Sequence, residues 1–256
     1  VSILDDLLER GVGFIPGEGL IEEAARVLGL AQGVLSGLSA CPPLEKRTMF
    51  PEALSSVPGA KRRVIQCFLT REPDISSAEP AEVTAVRKDM KSLCVGVGEL
   101  ASEVLYDLAH QCGVSQRVMY NLLQNQEWVL NAVQYPYEAS SEAGRMLFPA
   151  HRDWGTLAIY PLIEGSGLEM SIAGGEWTPV EVPPGHMLCY AGDILGRVTD
   201  GAVKPLLHRV RQPVAGPGSR TALIFYADTI RNMVLPSGEL VGDIIEAKLK
   251  KIGQIS

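Results

Sequence analysis

From residue 127 onward the chain changes texture. The segments WVLNAVQYPY, RMLFPAHRD, LAIYPLI, GLEMSI, EWTPVEV, HMLCYAGD, VKPLLHRVRQP and RTALIFYAD are short and rich in β-branched and aromatic residues, and Gly/Pro turns separate them. They are too short for stable helices, and their roughly even spacing is that of a jelly roll or barrel. A β core over about 127–230 is therefore predicted. Apolar positions 3, 4, 7 and 8 recur at helical spacing over residues 1–10. Gly11 and Gly13 end that run, GFIP reads as a short strand, and residues 18–38 are helical again. SACPP (39–43) breaks the pattern, and PLEKR (43–47) starts another turn. Residues 51–82 are loop-rich, interrupted by a strand at 62–70. The longest periodic stretch, 81–112, predicts a helix with one buried face, closed by Gly113. Ser115 caps a short helix at 115–124, and 243–253 is a final amphipathic helix. The expected layout is one domain over 1–256, mainly β with flanking helices. It has a helix-rich N-terminal part (about 1–125), the β core, and a C-terminal helix.

Composition narrows the class. Hydrophobic residues make up 46% and charged residues 21%, an ordinary balance for a globular protein long enough to bury one large core. The net charge of −7 argues against nucleic acid as a partner. No apolar run reaches the length of a membrane span, and no basic-plus-apolar leader opens the sequence. Cys41, Cys67, Cys94, Cys112 and Cys189 form no CxxC pair, so reduced core cysteines and a cytoplasmic setting are expected. Oligomeric state leaves no mark in the sequence.

The chain has four histidines, and two fall in one pattern: His151, Asp153 two residues on, and His208. Residues i and i+2 of a strand share a face, so His151 and Asp153 can meet one ion, with His208 supplied by a neighbouring strand. Two imidazoles and one carboxylate on one side of a metal leave the opposite positions open. That donor set suits non-haem Fe(II) with room for O₂ and an organic ligand. Arg220 follows His208 by 12 residues, on the last strand.

The motifs QYP (134–136), HRDWGTLAIY (151–160), GLEM (167–170), EWTPVEVPPGHMLCYAGDIL (176–195), GAVKPLLHRV (201–210) and SRTALIFYAD (219–228) occur in this order. GVGFIPGEGLIEEA (11–24) and PLEKR match more loosely. Together they resemble the isopenicillin N synthase-like branch of the Fe(II)/2-oxoglutarate-dependent oxygenases. The resemblance implies a double-stranded β-helix (jelly roll) core. It implies Fe(II) on His151, Asp153 and His208, with 2-oxoglutarate and O₂ as cosubstrates. It further implies that Arg220 and Tyr135 hold the distal carboxylate of 2-oxoglutarate. Two positions depart from the family pattern, Val133 for an Asn and Ala222 for a Ser. Each removes one hydrogen bond to the cosubstrate, on the order of 1 kcal/mol.

Trp154, Phe225 and Leu206 are expected to wall the substrate pocket, with Leu223 and Tyr226 adding apolar surface. Arg62, Arg63 and Gln66 would lie near its mouth or on solvated surface. Arg209 should point away from the metal, and His186 should sit in a surface turn. The carboxylate of Asp153 argues against halogenation, because halogenating relatives carry Gly or Ala there. The expected activity is oxidation of a small metabolite or natural-product intermediate, by hydroxylation, desaturation or ring formation, with succinate and CO₂ as co-products. The alternatives are a 2-oxoglutarate-independent oxidase of the isopenicillin N synthase type and a non-catalytic small-molecule-binding jelly roll.

Overall fold

The structure is a computed structural model, and it describes residues 3–37, 62–69, 80–137, 144–213 and 218–251. The SACPP breaker and the PLEKR turn lie outside the described residues, as does Cys41. Three elements open the chain: α1 (Ile3–Arg10), β1 (Val12–Pro16) and α2 (Leu20–Gly37). After β2 (Arg63–Phe68) come α3 (Ala81–Gln111), α4 (Gln116–Gln124) and β3 (Gln126–Pro136). Then follow β4 (Met146–His151), β5 (Leu157–Glu164), β6 (Leu168–Ser171), β7 (Trp177–Pro179) and β8 (His186–Ala191). The last elements are α5 (Asp193–Val198), β9 (Leu207–Arg211), β10 (Ser219–Thr229) and α6 (Val241–Lys251).

The strands form two antiparallel sheets, ordered β1-β8-β5-β10-β3-β2 and β4-β9-β6-β7. Strand alternation sorts the larger sheet into two faces. Leu130, Ala132, Leu157, Ile159, Met187, Cys189, Ala191, Leu223, Phe225 and Ala227 point to one face and join the core shared with α1, α2 and α3. Val133, Tyr135, Ala158, Tyr160, Leu188, Tyr190, Ala222 and Ile224 point to the other. There they meet Leu147, Phe148, Leu168, Met170 and Val210 of the smaller sheet. The expected jelly-roll sandwich with helices on one side is thus present.

Helical spacing explains the outer layer. Ala24, Val27, Leu28, Ala31 and Leu35 of α2 are buried at steps of three and four, as are Met90, Leu93, Val97, Ala101, Val104, Leu105 and Leu108 of α3. Each fully buried leucine contributes roughly 1.5–3 kcal/mol. Gly98 brings α3 close to β3, since a Cβ there would lie 2.4 Å from the Trp128 indole. Gly113 takes a left-handed φ of 71° directly after α3. Ser115 accepts a hydrogen bond from the Val118 amide and caps α4.

The free cysteines Cys67, Cys94 and Cys189 are buried, and Cys112 is half-buried. The short helix α5 was not expected. At six residues it is too brief to leave a helical period in the sequence.

Candidate active site

The smaller sheet sets the site. In the β4–β9 pairing, His151 stands directly opposite His208. β4 ends at His151, so Asp153 lies in the turn that follows rather than further along the strand. That turn is held by the start of α5. The Asp193 amide donates to the Asp153 carbonyl (2.9 Å), and the Ile194 amide donates to the Trp154 carbonyl (3.0 Å). The Thr156 amide and the Gly192 amide close the turn onto Ala227 and Thr156, each at 2.9 Å.

One ligand atom from each of His151, Asp153 and His208 can be chosen so that all three lie within 4.8 Å of one another. Asp153 Oδ1 is 3.3 Å from His151 Nε2 and 3.8 Å from His208 Nε2. The two Nδ1 atoms face backbone carbonyls instead, those of Pro149 at 2.8 Å and Leu206 at 3.4 Å. Donation from Nδ1–H to those carbonyls leaves each Nε2 lone pair facing inward, the tautomer a metal ion needs. Tyr190 donates to the other carboxylate oxygen, Asp153 Oδ2, at 2.8 Å. Its hydroxyl also lies 3.2 Å from His208 Nε2. Phe148 packs edge-on against His151, with ring centroids 4.6 Å apart.

Electrostatics match this arrangement. Burial works to raise the Asp153 carboxyl, but His208, His151 and the Tyr190 hydroxyl outweigh it and hold the group at about 2. Burial, with His151 alongside, pushes His208 down to about 4. At neutral pH the cluster therefore offers a carboxylate and a neutral imidazole at His208. Burial raises the Tyr160, Tyr190 and Tyr226 phenols, so all three remain hydroxyl donors.

A pH dependence follows for the metal-free protein. As pH falls below the ordinary imidazole value of 6.5, the unfolded chain takes the His208 proton before the folded one does. This stability is full above 6.5 and is lost as pH falls toward about 4. The Asp153 contribution is lost only lower, between 3.8 and about 2. Urea melts of chelator-treated protein should show the midpoint falling between pH 6.5 and 4. A His208→Asn variant should show a shallower fall.

Arg220 lies deeper. Its side chain is fully buried, and Nε, Nη1 and Nη2 have no hydrogen-bond partner among the described residues. The guanidinium carbon lies 5.6 Å from the Tyr135 ring centroid and 6.0 Å from that of Tyr160. Tyr135 is the direct partner of Arg220 in the β3–β10 register, and Val133 is the partner of Ala222. The two departures noted in the sequence therefore face each other, beside Arg220.

The pocket over the cluster is lined by Arg62, Tyr135, Phe148, Trp154, Tyr160 and Tyr226, among others. Tyr135 and Trp154 both line it. Phe225 does not. It points to the helix side of the sheet and packs on Trp128, with centroids 6.3 Å apart. Strand alternation is the reason: Phe225 is an odd number of residues from Arg220, whereas Tyr226 shares the face of Arg220. Leu206 also corrects the expectation. It precedes β9, is buried between the sheets and does not line the pocket.

Arg209 points away as expected, paired with Glu169 at 2.7 Å and stacked on Trp177. Sequence reasoning missed Tyr160, Tyr190, Phe148 and Val210. A count by twos along β5 and β8 finds both tyrosines on the inner face.

Residues 117–229 match the model of the 2OG-Fe(II) oxygenase superfamily. Fe(II), 2-oxoglutarate and O₂ are the cofactor and cosubstrates of this class, and the His-Asp-His cluster fits them. The match is to the superfamily and does not single out its isopenicillin N synthase-like branch.

The chain is 26% identical over 168 residues to validamycin A dioxygenase of Streptomyces hygroscopicus subsp. limoneus, covering 63% of this chain and 45% of that protein. It is 29% identical over 156 residues to the 2-oxoglutarate-dependent dioxygenase caaD of Aspergillus niger, covering 59% and 48%. The chain thus spans about half the length of these curated relatives. The 2-oxoglutarate binary complex of dioxygenase for auxin oxidation 1 from Arabidopsis thaliana superposes with a TM-score of 0.65 at 16% identity, covering 90% of this chain and 88% of that one. At that identity the likeness is one of fold. Among the described residues no helix is long and apolar enough to cross a membrane.

Proposed function

We propose that this chain is an Fe(II)/2-oxoglutarate-dependent dioxygenase that oxidises a small metabolite or natural-product intermediate by hydroxylation, desaturation or ring formation, releasing succinate and CO₂. The observation that carries the reading is Arg220. A fully buried guanidinium whose three nitrogens have no partner among the described residues is costly unless an anion completes it. It lies beside Tyr135 and Tyr160, which also line the pocket over the His-Asp-His cluster. A dicarboxylate reaching from metal to guanidinium satisfies both.

His151 Nε2, His208 Nε2 and Asp153 Oδ1 would hold the iron. Bound there, iron supplies O₂ activation coupled to oxidative decarboxylation of the cosubstrate. Tyr190 orients Asp153 by its hydrogen bond to Oδ2 and keeps Oδ1 turned toward the histidines. Arg220, with the Tyr135 hydroxyl, receives the distal carboxylate. Phe148, Trp154 and Tyr226 exclude water and confine the substrate. The natural-product name of the Streptomyces relative is consistent with a small substrate.

Anaerobic titration with Fe(II) and then 2-oxoglutarate tests the reading. A visible metal-to-ligand charge-transfer band should form, and His208→Ala and Arg220→Ala should lose it. Fe(II) binding without a band would sink the cosubstrate assignment.

One observation favours the runner-up, a 2-oxoglutarate-independent oxidase. Val133 and Ala222 give the carboxylate site an apolar flank. Ala222→Ser discriminates. It adds a donor on the Arg220 side of the strand and should tighten 2-oxoglutarate binding about fivefold, the worth of one hydrogen bond. An unchanged dissociation constant would favour the runner-up.

A further inference from the structure

We infer that Arg62 anchors the substrate, and that the substrate is an organic acid held by its carboxylate. This rests on the oxygenase reading above. Arg62 directly precedes β2, the edge strand beside β3, and it lines the pocket together with His151, Asp153 and His208. Its guanidinium carbon stands 5.1 Å from the centroid of Phe148, whose ring packs on His151. The charge therefore sits one aromatic layer from the metal cluster, at the distance where a substrate group would begin.

The neighbouring arginines have structural work, and among the described residues Arg62 does not share it. Arg63 points to the other face and donates to Gln134 Oε1 (2.9 Å) and the Ser36 carbonyl (3.4 Å). Arg87 donates to the Gln66 carbonyl (2.7 Å). Arg197 pairs with Glu239, and Arg209 with Glu169. Among the described residues no carboxylate stands in ion-pair range of Arg62. Asp153, the carboxylate in the pocket lining, already accepts from Tyr190 and stands beside both histidine Nε2 atoms, with which it would share a metal.

The charge balance says what is missing. A divalent iron and a doubly charged 2-oxoglutarate cancel, and Asp153 cancels Arg220. Among the described residues Arg62 is left as one uncompensated positive charge in a partly buried, aromatic-walled pocket. A single planar fork matches one carboxylate with two parallel bonds. Phe148 and Trp154 would then cover the apolar remainder of the acid.

The test reads binding rather than turnover. Wild-type, Arg62→Gln and Arg62→Lys proteins are held anaerobically with Fe(II) and 2-oxoglutarate. They are titrated by thermal shift with benzoate, phenylacetate and hexanoate, each beside its neutral amide, and with phenyl phosphate. In the wild type the best acid should bind about tenfold or more tightly than its amide, the worth of a charge-assisted contact. Arg62→Gln should erase that preference, Arg62→Lys should keep part of it, and 2-oxoglutarate affinity should stay within about threefold in both.

Equal binding of acid and amide, no acid binding at millimolar concentration, or a preference that survives Arg62→Gln would overturn the inference. So would tighter binding of phenyl phosphate than of any acid. Loss of 2-oxoglutarate affinity in Arg62→Gln would assign Arg62 to the cosubstrate and overturn it too. Failure of 2-oxoglutarate to bind wild type would sink the underlying reading alone. The acid–amide comparison repeated with Fe(II) only would still decide this one.

Discussion

Replacing Arg220 with methionine is expected to raise the melting temperature of the ligand-free protein while abolishing its response to 2-oxoglutarate. The two effects have one cause. Arg220 is fully buried, and its three guanidinium nitrogens find no partner among the described residues. Desolvating a charge without pairing it costs several kcal/mol. The nearby Tyr135 and Tyr160 faces, at 5.6 and 6.0 Å, return about 1 kcal/mol between them. Methionine fills a similar path with flexible apolar atoms, so the substitution should stabilise the empty fold by roughly 1–4 kcal/mol. For a chain of this size each kcal/mol is worth about 2–4 °C.

In the liganded protein the sign reverses. On the proposed function, two charge-assisted hydrogen bonds to the distal carboxylate would disappear, and affinity should fall about 100-fold or more. Thermal melts of both proteins with and without 2-oxoglutarate read both effects together. A variant that melts lower than wild type when empty, or that still shifts with 2-oxoglutarate, would show that Arg220 is a structural residue.

The same residue shows how much could be read without coordinates. The pairing of His151 with Asp153 is local, and the His208 and Arg220 positions lie on segments whose strand pattern is plain. Spacing and strand pattern therefore suggested three candidate ligands and a β core, and the family resemblance strengthened both and implied the jelly roll. Phe225 does not line the pocket, because it lies on the face of β10 opposite to Arg220. Counting by twos from Arg220 excludes it and selects Tyr226.

Other features are non-local and leave no pattern. Tyr190 reaches Asp153 across 37 positions of sequence. The sequence left Arg62 between the pocket mouth and solvated surface, and only the pairing of β2 with β3 brings it into the pocket lining. The Val133–Ala222 juxtaposition depends on the β3–β10 register in the same way. Single departures could be noted one at a time, but only the register makes them one apolar flank. The helix α5 was missed for a different reason. Its role is to clamp the turn of Asp153, and six residues suffice for that without building a periodic face.

That clamp is the basis of the second large expectation. Gly192→Ala should weaken metal binding by about 10- to 100-fold, although Gly192 touches no metal. Its backbone, at φ −103° and ψ 178°, is open to any residue, so the constraint is not conformational. It is space. A Cβ on Gly192 would lie 2.4 Å from the Gly155 carbonyl oxygen and 3.2 Å from that of Asp153. Both obstacles are backbone, and a side-chain rotation cannot clear them.

Either α5 or the turn after β4 must move, and that turn carries Asp153. Metal ligands tolerate displacements of about 0.5 Å before the donor set fails. Overpacking of this kind also costs roughly 1–3 kcal/mol of stability. Gly33→Ala is the matched control. It lies on the exposed side of α2 with nothing within 4 Å of a new Cβ, and it should stabilise by about 0.5–1 kcal/mol with metal affinity unchanged. Competition of each variant against a chelating dye for Fe(II) separates the two substitutions. If Gly192→Ala binds metal as tightly as Gly33→Ala, then α5 does not position Asp153, and the carboxylate must be held by Tyr190 alone.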